Sequence, residues 1–207
     1  MKLVDSLVKN DYLKTPKIIE AFLKIKREDF MPESIKHLAE INEAFPIGYG
    51  QTISQPLTVA IMLELLQPKE GQKILDIGSG SGWTSALLGE IVGNEGKVIA
   101  LEIVSELKEF GERNVSKYNF VRSKRVKFFN TNGYLGYKKE APFDRILCSA
   151  ALIEDVPDAW KEQLREGGII VTPINYSIWR IFKFKGGKFE REEYPGFVFV
   201  PLIQNGK

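Results

Sequence analysis

The stretch Ile74-Leu-Asp-Ile-Gly-Ser-Gly-Ser-Gly-Trp83 constrains the fold of this chain more than any other. Ile74 to Ile77 has the length and apolar content of a short buried strand. Gly78, Gly80 and Gly82 permit a tight turn and a close approach of ligand to backbone, and Trp83 to Ile91 continues as a helix rich in alanine and leucine. A strand, a glycine turn and a helix N-terminus in succession make a cradle for a nucleotide-type ligand, because the unpaired N–H groups of the first helical turn point at it. Asp76 falls near the carboxyl end of the strand, where an open α/β sheet places its ligand. The spacing is G-x-G-x-G, with Trp83 where the dinucleotide pattern needs a third glycine, which disfavours a nicotinamide or flavin cofactor. An ordinary strand-to-helix turn is the plainer alternative.

The chain beyond it alternates. Lys97 to Leu101 reads as a second strand ending at Glu102, 20 residues past Gly82. An acid at that point accepts hydrogen bonds from the hydroxyls of an adenosine ribose, although a solvated strand end is the plainer role. Asp76 can face the positive end of a ligand directly or through water. Together the two acids point to S-adenosyl-L-methionine, with S-adenosyl-L-homocysteine as its product. Strands are expected at Arg125 to Phe129, Phe143 to Ser149 and Ile169 to Thr172, the last after a break at Gly167-Gly168. Helices fall at Ser105 to Tyr118, capped by Ser105, and at Asp158 to Leu164. This order predicts a parallel, doubly wound α/β sheet. Ile178 to Phe184 and Phe197 to Ile203 are strand-like, with hairpin chemistry at Lys185-Gly-Gly-Lys188 between them. The expectation is a mainly parallel seven-stranded sheet with an antiparallel C-terminal hairpin.

Residues 1–44 read as a helical appendage. Thr15-Pro16 is a cap and first-turn pair, and Ile18, Ile19, Phe22, Leu23 and Ile25 form one apolar face. A weaker helical piece follows from Glu33 to Glu40. Residues 45–57 carry two glycines, two prolines and no regular period, and read as a loop with a function. Helical periodicity returns from Pro56 to Leu66, so the plain role for Ser54 is that helix's N-cap. Residues 58–207 form the ligand-binding core of what is expected to be one domain.

Composition narrows the class. The 207 residues are 43% hydrophobic and 27% charged, with net charge +2, which is ordinary for a globular chain and offers no polyanion-binding surface. Arg122, Lys124, Arg125 and Lys127 cluster, but without interleaved aromatics they read as a solvated loop and strand edge rather than a nucleic-acid site. The single cysteine, Cys148, excludes an internal disulfide and reads as a small core residue. The single histidine, His37, lies in the appendage. No apolar run approaches the roughly 20 residues needed to span a bilayer, and no signal peptide is evident. A cytoplasmic, monomeric protein without bound metal, membrane or nucleic acid is expected.

Four stretches, in order, carry a wider likeness. They are Pro46-Ile-Gly-Tyr-Gly-Gln-Thr-Ile-Ser-Gln-Pro56, Leu75-Asp-Ile-Gly-Ser-Gly-Ser-Gly82, Ala141-Pro-Phe-Asp-Arg-Ile146 with Ser149-Ala-Ala151, and Phe197-Val-Phe-Val-Pro-Leu202; Arg27-Glu-Asp-Phe-Met-Pro32 precedes them. With these the chain resembles the protein-L-isoaspartate O-methyltransferase family. The resemblance implies the Rossmann-like fold of class I methyltransferases. It also implies transfer of a methyl group from S-adenosyl-L-methionine to the free α-carboxylate of L-isoaspartyl residues in damaged proteins and peptides, which starts their repair. Carried over by position, Ser54 is the active-site serine, and Thr52 and Ile53 line the transfer site beside cofactor and substrate. Gly78 and Gly80 pass close to the cofactor, Glu102 holds its ribose, and Asn132-Gly133 lies beside the adenine. Val198, Phe199, Val200 and Leu202 help form the groove for the substrate's backbone. The chain departs from the family pattern at Asn132, usually Asp, and at Leu57, where many members carry histidine.

The reaction can proceed without a histidine, since a carboxylate is already ionised near pH 7. Ser54 is then a hydrogen-bond donor to the acceptor, not a nucleophile. Two other readings share these residues: methyl transfer to a small carboxylate or RNA, and a cofactor-binding relative without turnover.

Overall fold

In the computed structural model, residues 2–204 are described. Helices α1 (Lys2–Lys9) and α2 (Pro16–Lys24) lead through two 3₁₀ turns, Arg27–Phe30 and Glu33–Leu38, to a small antiparallel hairpin, β1 (Phe45–Gly48) and β2 (Gln51–Ile53). Then come α3 (Pro56–Leu66), β3 (Lys73–Ile77), α4 (Trp83–Val92), β4 (Lys97–Glu102), α5 (Ser105–Ser116), β5 (Val126–Asn130), β6 (Phe143–Cys148), α6 (Asp158–Gln163), β7 (Leu164–Ile174), β8 (Ser177–Lys183) and β9 (Phe189–Pro195).

Strands β3 to β9 make one seven-stranded sheet in the order β5-β4-β3-β6-β7-β8-β9. The first five run parallel, and β8 pairs antiparallel with both β7 and β9. Alternation within the central strands feeds two cores. Ile74, Val98, Ala100 and Leu147 face one, with Leu63, Leu87 and Leu107 from the helices. Leu75, Ile77, Ile99, Leu101, Ile146 and Cys148 face the other, with Trp160 and Val156. A strand covered on both faces is mostly apolar, which is why these strands are legible as runs despite Asp76 in β3 and Asp144-Arg145 in β6. The chain leaves β3 toward β4 on one side and β6 lies on the other. The glycine turn therefore opens at the switch point of the sheet, where the two flanking connections diverge and leave a crevice.

Four expectations are corrected. The last strand is Phe189–Pro195, not 197–203. Its middle, Glu190 to Glu193, is charged and exposed, as suits an edge that must not recruit another strand, so apolar alternation gives no sign of it. The Lys185–Lys188 turn does close the hairpin, with Lys183 opposite Phe189. Residues 45–57 are not an irregular loop: their first nine residues pair as β1 and β2. Strand β7 begins at Leu164 and runs through Gly167 and Gly168, with a register shift against β6, rather than starting after them. The predicted caps also differ. Gln55, not Ser54, precedes α3, and Val104, not Ser105, precedes α5. Thr15 does stand at the start of α2, yet its hydroxyl donates to Glu64 (2.7 Å) rather than capping the helix.

Candidate active site

The glycine turn is built by positive φ angles at Gly78 (+71°), Gly80 (+49°) and Gly82 (+84°), which side-chain-bearing residues rarely adopt. Gly78 N and Ser79 N both donate to Leu101 O (2.9 and 3.1 Å), tying the turn to the end of β4. Glu102 completes the tie. Its Oε2 accepts from Gly80 N (2.9 Å) and its Oε1 from Ile103 N and Val104 N (2.9 and 3.0 Å). A carboxylate has about four acceptor positions, so Glu102 retains about one, on Oε2, for a ligand hydroxyl. Helix α5 sits hard against the turn: a Cβ on Gly111 would lie 2.7 Å from Gly80 O, and one on Gly82 would lie 2.8 Å from Gly111 O.

Around this turn a cleft is lined by residues 51–54, 77–81, 83–84, 101–103, 133, 149–150 and 200–203. Of the residues expected at the site, Thr52, Ile53, Ser54, Gly78, Gly80, Glu102, Gly133, Val200 and Leu202 line it. Ser54 is half-buried and makes no helix cap, so its hydroxyl is free to serve the cleft.

Four expected residues lie outside the lining. Asp76 is fully buried one layer behind, where its Oδ2 accepts from Ser85 Oγ (2.5 Å) and Thr84 Oγ1 (3.1 Å). Burial pushes its carboxyl up to about 6, against those hydrogen bonds and with a smaller push from Glu102. Strand alternation explains its place: in register with Ala100 and Leu147, it faces the helix side, so it meets the first turn of α4 instead of the cleft. Asn132 spends its side chain on the backbone, accepting from Tyr134 N (2.9 Å) and donating to Gln204 O (2.5 Å). Val198 is 81% exposed, and Phe199 packs against the core beneath.

The residue-by-residue reading missed Ser79, Ser81, Trp83, Thr84, Ile103 and Ser149 as lining residues. Thr84 and Ser85 had a signal, being hydroxyls in the first helical turn after a buried acid. Ser149 had only its place in the Ser149-Ala-Ala151 stretch of the likeness, because its reach depends on where β6 ends beside β3: Ser149 N donates to Ile77 O at 3.1 Å.

The donor set fits S-adenosyl-L-methionine. The Oδ1 of Asp76 and the hydroxyls of Ser79 and Ser149 are buried acceptors or donors without a protein partner, and such groups call for ligand or water. Among the described residues, none lining the cleft is Lys, Arg or His, while Glu102 is an acid. Such a lining suits a ligand with positive charge and hydroxyls rather than a phosphate. Cys148, the last residue of β6, is buried in the core with its thiol pushed up to about 12 and does not line the cleft.

The chain matches, over residues 1–207, the family model for protein-L-isoaspartate(D-aspartate) O-methyltransferase. The protein-L-isoaspartate O-methyltransferase of Methanopyrus kandleri is 40% identical over 206 residues, covering 98% of this chain and 90% of the relative. That of Dictyoglomus thermophilum is 42% identical over 207 residues, covering 97% and 89%. A solved protein-L-isoaspartate O-methyltransferase, 27% identical, superposes with a TM-score of 0.86 over 97% of this chain and 64% of its own. A Plasmodium falciparum structure in complex with S-adenosyl-L-homocysteine superposes with a TM-score of 0.88 over 99% and 98%; at 24% identity it shows the shared fold. Matched from end to end in sequence and fold, the chain belongs to the protein-L-isoaspartate(D-aspartate) O-methyltransferase family.

Proposed function

We propose that this protein is an S-adenosyl-L-methionine-dependent carboxyl methyltransferase that esterifies the free α-carboxylate of L-isoaspartyl residues in damaged proteins and peptides. The observation that carries the reading is the meeting, in one cleft, of the glycine turn and Glu102 with the Thr52-Ile53-Ser54 strand end, in a chain matching the family along its whole length. Residues 58–196 supply the cofactor cradle, and residues 45–57 and 197–203 supply the walls facing the acceptor. Bound S-adenosyl-L-methionine supplies a methyl group activated by its sulfonium charge.

The chain's residues have four tasks. Gly78, Gly80 and Gly133 give the cofactor close access to backbone, and Glu102 accepts from a ribose hydroxyl. Asp76 holds Thr84 in the cleft wall through its hydroxyl and places negative charge near the cofactor's positive end. Ser54 donates to the acceptor carboxylate and sets its approach. Val200 and Leu202 shape the groove in which the substrate's backbone lies, with Val198 at its rim. No residue need act as a base, because the acceptor is ionised at neutral pH. Catalysis is then mainly alignment, which can supply up to about 7–11 kcal/mol.

Incubation with methyl-labelled S-adenosyl-L-methionine and an isoaspartyl peptide, beside its aspartyl twin, tests the reading. Label is expected on the isoaspartyl peptide alone. Label on RNA or on a small carboxylate instead, or none despite measurable cofactor binding, would overturn it. In the same assay Ser54→Ala is expected to lower turnover about 10- to 100-fold, the range of one hydrogen bond to a charged group, with S-adenosyl-L-homocysteine affinity nearly unchanged.

A further inference from the structure

We propose that Arg27 is a positioning residue for methyl transfer, fixing Ser54 through the backbone and lending its charge to acceptor binding. The inference deepens the functional reading above and rests on it. The Arg27 side chain is buried, with 6% of the residue exposed. Its Nη1 donates to Ala39 O (3.2 Å) and Ile41 O (2.9 Å), and its Nη2 to Glu43 O (2.6 Å) and Ser54 O (3.1 Å). The guanidinium lies over two rings, Phe45 at 5.5 Å and Trp83 at 5.4 Å. One side chain thus gathers the segment 39–43, the start of β1, the end of the β2 strand and the first residue of α4. Asn42 fastens the same segment from the other side: its Oδ1 accepts from Leu57 N, and its backbone O from Gln55 Nε2, both at 2.9 Å. Ser54 is therefore bracketed by two clasps on segment 39–43.

The base of Arg27 is equally fixed. It opens a 3₁₀ turn whose Asp29 carboxylate accepts from Tyr118 Oη (2.7 Å), while Lys26 N donates to the same Oη (2.9 Å). Tyr118 stands just beyond α5, the helix pressed on the glycine turn. The clasp on Ser54 and the cofactor cradle share that support.

The charge is the second part of the inference. Every hydrogen-bond partner of Arg27 is a neutral carbonyl, and no carboxylate pairs with it among the described residues. Burial draws its pKa down to about 10, which leaves it a cation at neutral pH. Burying an uncompensated cation is costly, and a neutral donor could tie carbonyls without that cost. The cleft itself offers an anionic acceptor no Lys, Arg or His among its lining residues. The cation bonded to the Ser54 carbonyl is placed to favour a carboxylate at the Ser54 hydroxyl.

The test compares wild type with Arg27→Met, Arg27→Lys and Asn42→Ala. It measures kcat and KM for an isoaspartyl peptide, normalised to sites that bind S-adenosyl-L-homocysteine by calorimetry, together with amide hydrogen exchange across residues 53–58 without cofactor. Arg27→Met is expected to lose about 100-fold in kcat/KM, the scale of a misplaced reacting group, through both constants. Its S-adenosyl-L-homocysteine affinity should stay within roughly threefold. Arg27→Lys, keeping charge but not the planar fork, should restore KM and not kcat. Asn42→Ala should lower kcat alone, and all three should speed exchange at 53–58. Unchanged turnover per binding site in Arg27→Met, or no difference between the Lys and Met variants in KM, would overturn the proposal. If both Arg27 variants fail to fold, an unchanged kcat in Asn42→Ala refutes the clasp. If wild type does not methylate the peptide, the functional reading fails, and exchange at 53–58 still decides whether the clasp exists.

Discussion

The two acids of the site show how far a single residue's environment sets its role. Glu102 lies at the end of β4 and is held by three backbone N–H groups, so it is fixed in place and still able to accept. Asp76, one layer deeper, has one oxygen held by Ser85 and Thr84 and one without a partner. With its folded pKa raised to about 6 from 3.8, Asp76 binds a proton in the folded chain over a window where the unfolded chain has released it. Stability therefore falls as pH rises from about 4 to about 6 and stays lowered above that. Asp76→Asn removes this component. Urea unfolding at several pH values is expected to show the variant gaining on wild type across that window, by on the order of 2–3 kcal/mol at pH 7. A constant difference would contradict the burial account. At this scale the sequence was legible where position along a strand sufficed, as for Glu102. It was misleading for the capping role of Ser54, which depended on where α3 begins, and it gave no sign that the Asn132 amide bonds to Tyr134 and Gln204.

Elements were legible in proportion to their burial. The parallel strands β3, β4 and β6 were read to within a residue or two because both faces are covered and every residue must be apolar or paired. The exposed β9 and the β1–β2 hairpin were not, since their pairing is set by neighbours and not by period. Helix α5 illustrates a contact that overrides local preference. Gly111 lies inside it, where alanine would ordinarily stabilise by roughly 0.5–1 kcal/mol. Here the added Cβ would meet Gly80 O at 2.7 Å and Phe128 Cε1 at 3.2 Å. Gly111→Ala is expected to destabilise by about 1–3 kcal/mol, the range for overpacking, and to weaken S-adenosyl-L-homocysteine binding by moving the turn. Urea unfolding and calorimetry check both, and a stabilised variant would show that α5 can withdraw without cost.

At the scale of the whole molecule, the cleft draws on segments that are far apart in the chain, and its last wall comes from beyond the sheet. After β9, Gly196 N and Phe197 N bond to Tyr176 O, and residues 200–202 exchange hydrogen bonds with Ala151. The return crosses the carboxyl ends of the strands instead of adding to the sheet edge. A chain ending at Gly196 keeps all seven strands, so cooperative thermal unfolding is expected to persist. Methyl transfer to an isoaspartyl peptide should fall below about 1% of the full chain, since alignment of the acceptor is lost. Retained activity would show that this wall does not hold the acceptor. The sequence by itself determined the sheet class, the glycine turn and the acid at the end of β4, because burial and backbone conformation demand residue types that can be read locally. Only the tertiary structure decided which side chains share the cleft, that Asp76 supports it from behind, that Arg27 grips Ser54, and that residues 200–203 close one side. Those depend on which face of each strand meets which neighbour and where distant segments cross, and no local pattern records either.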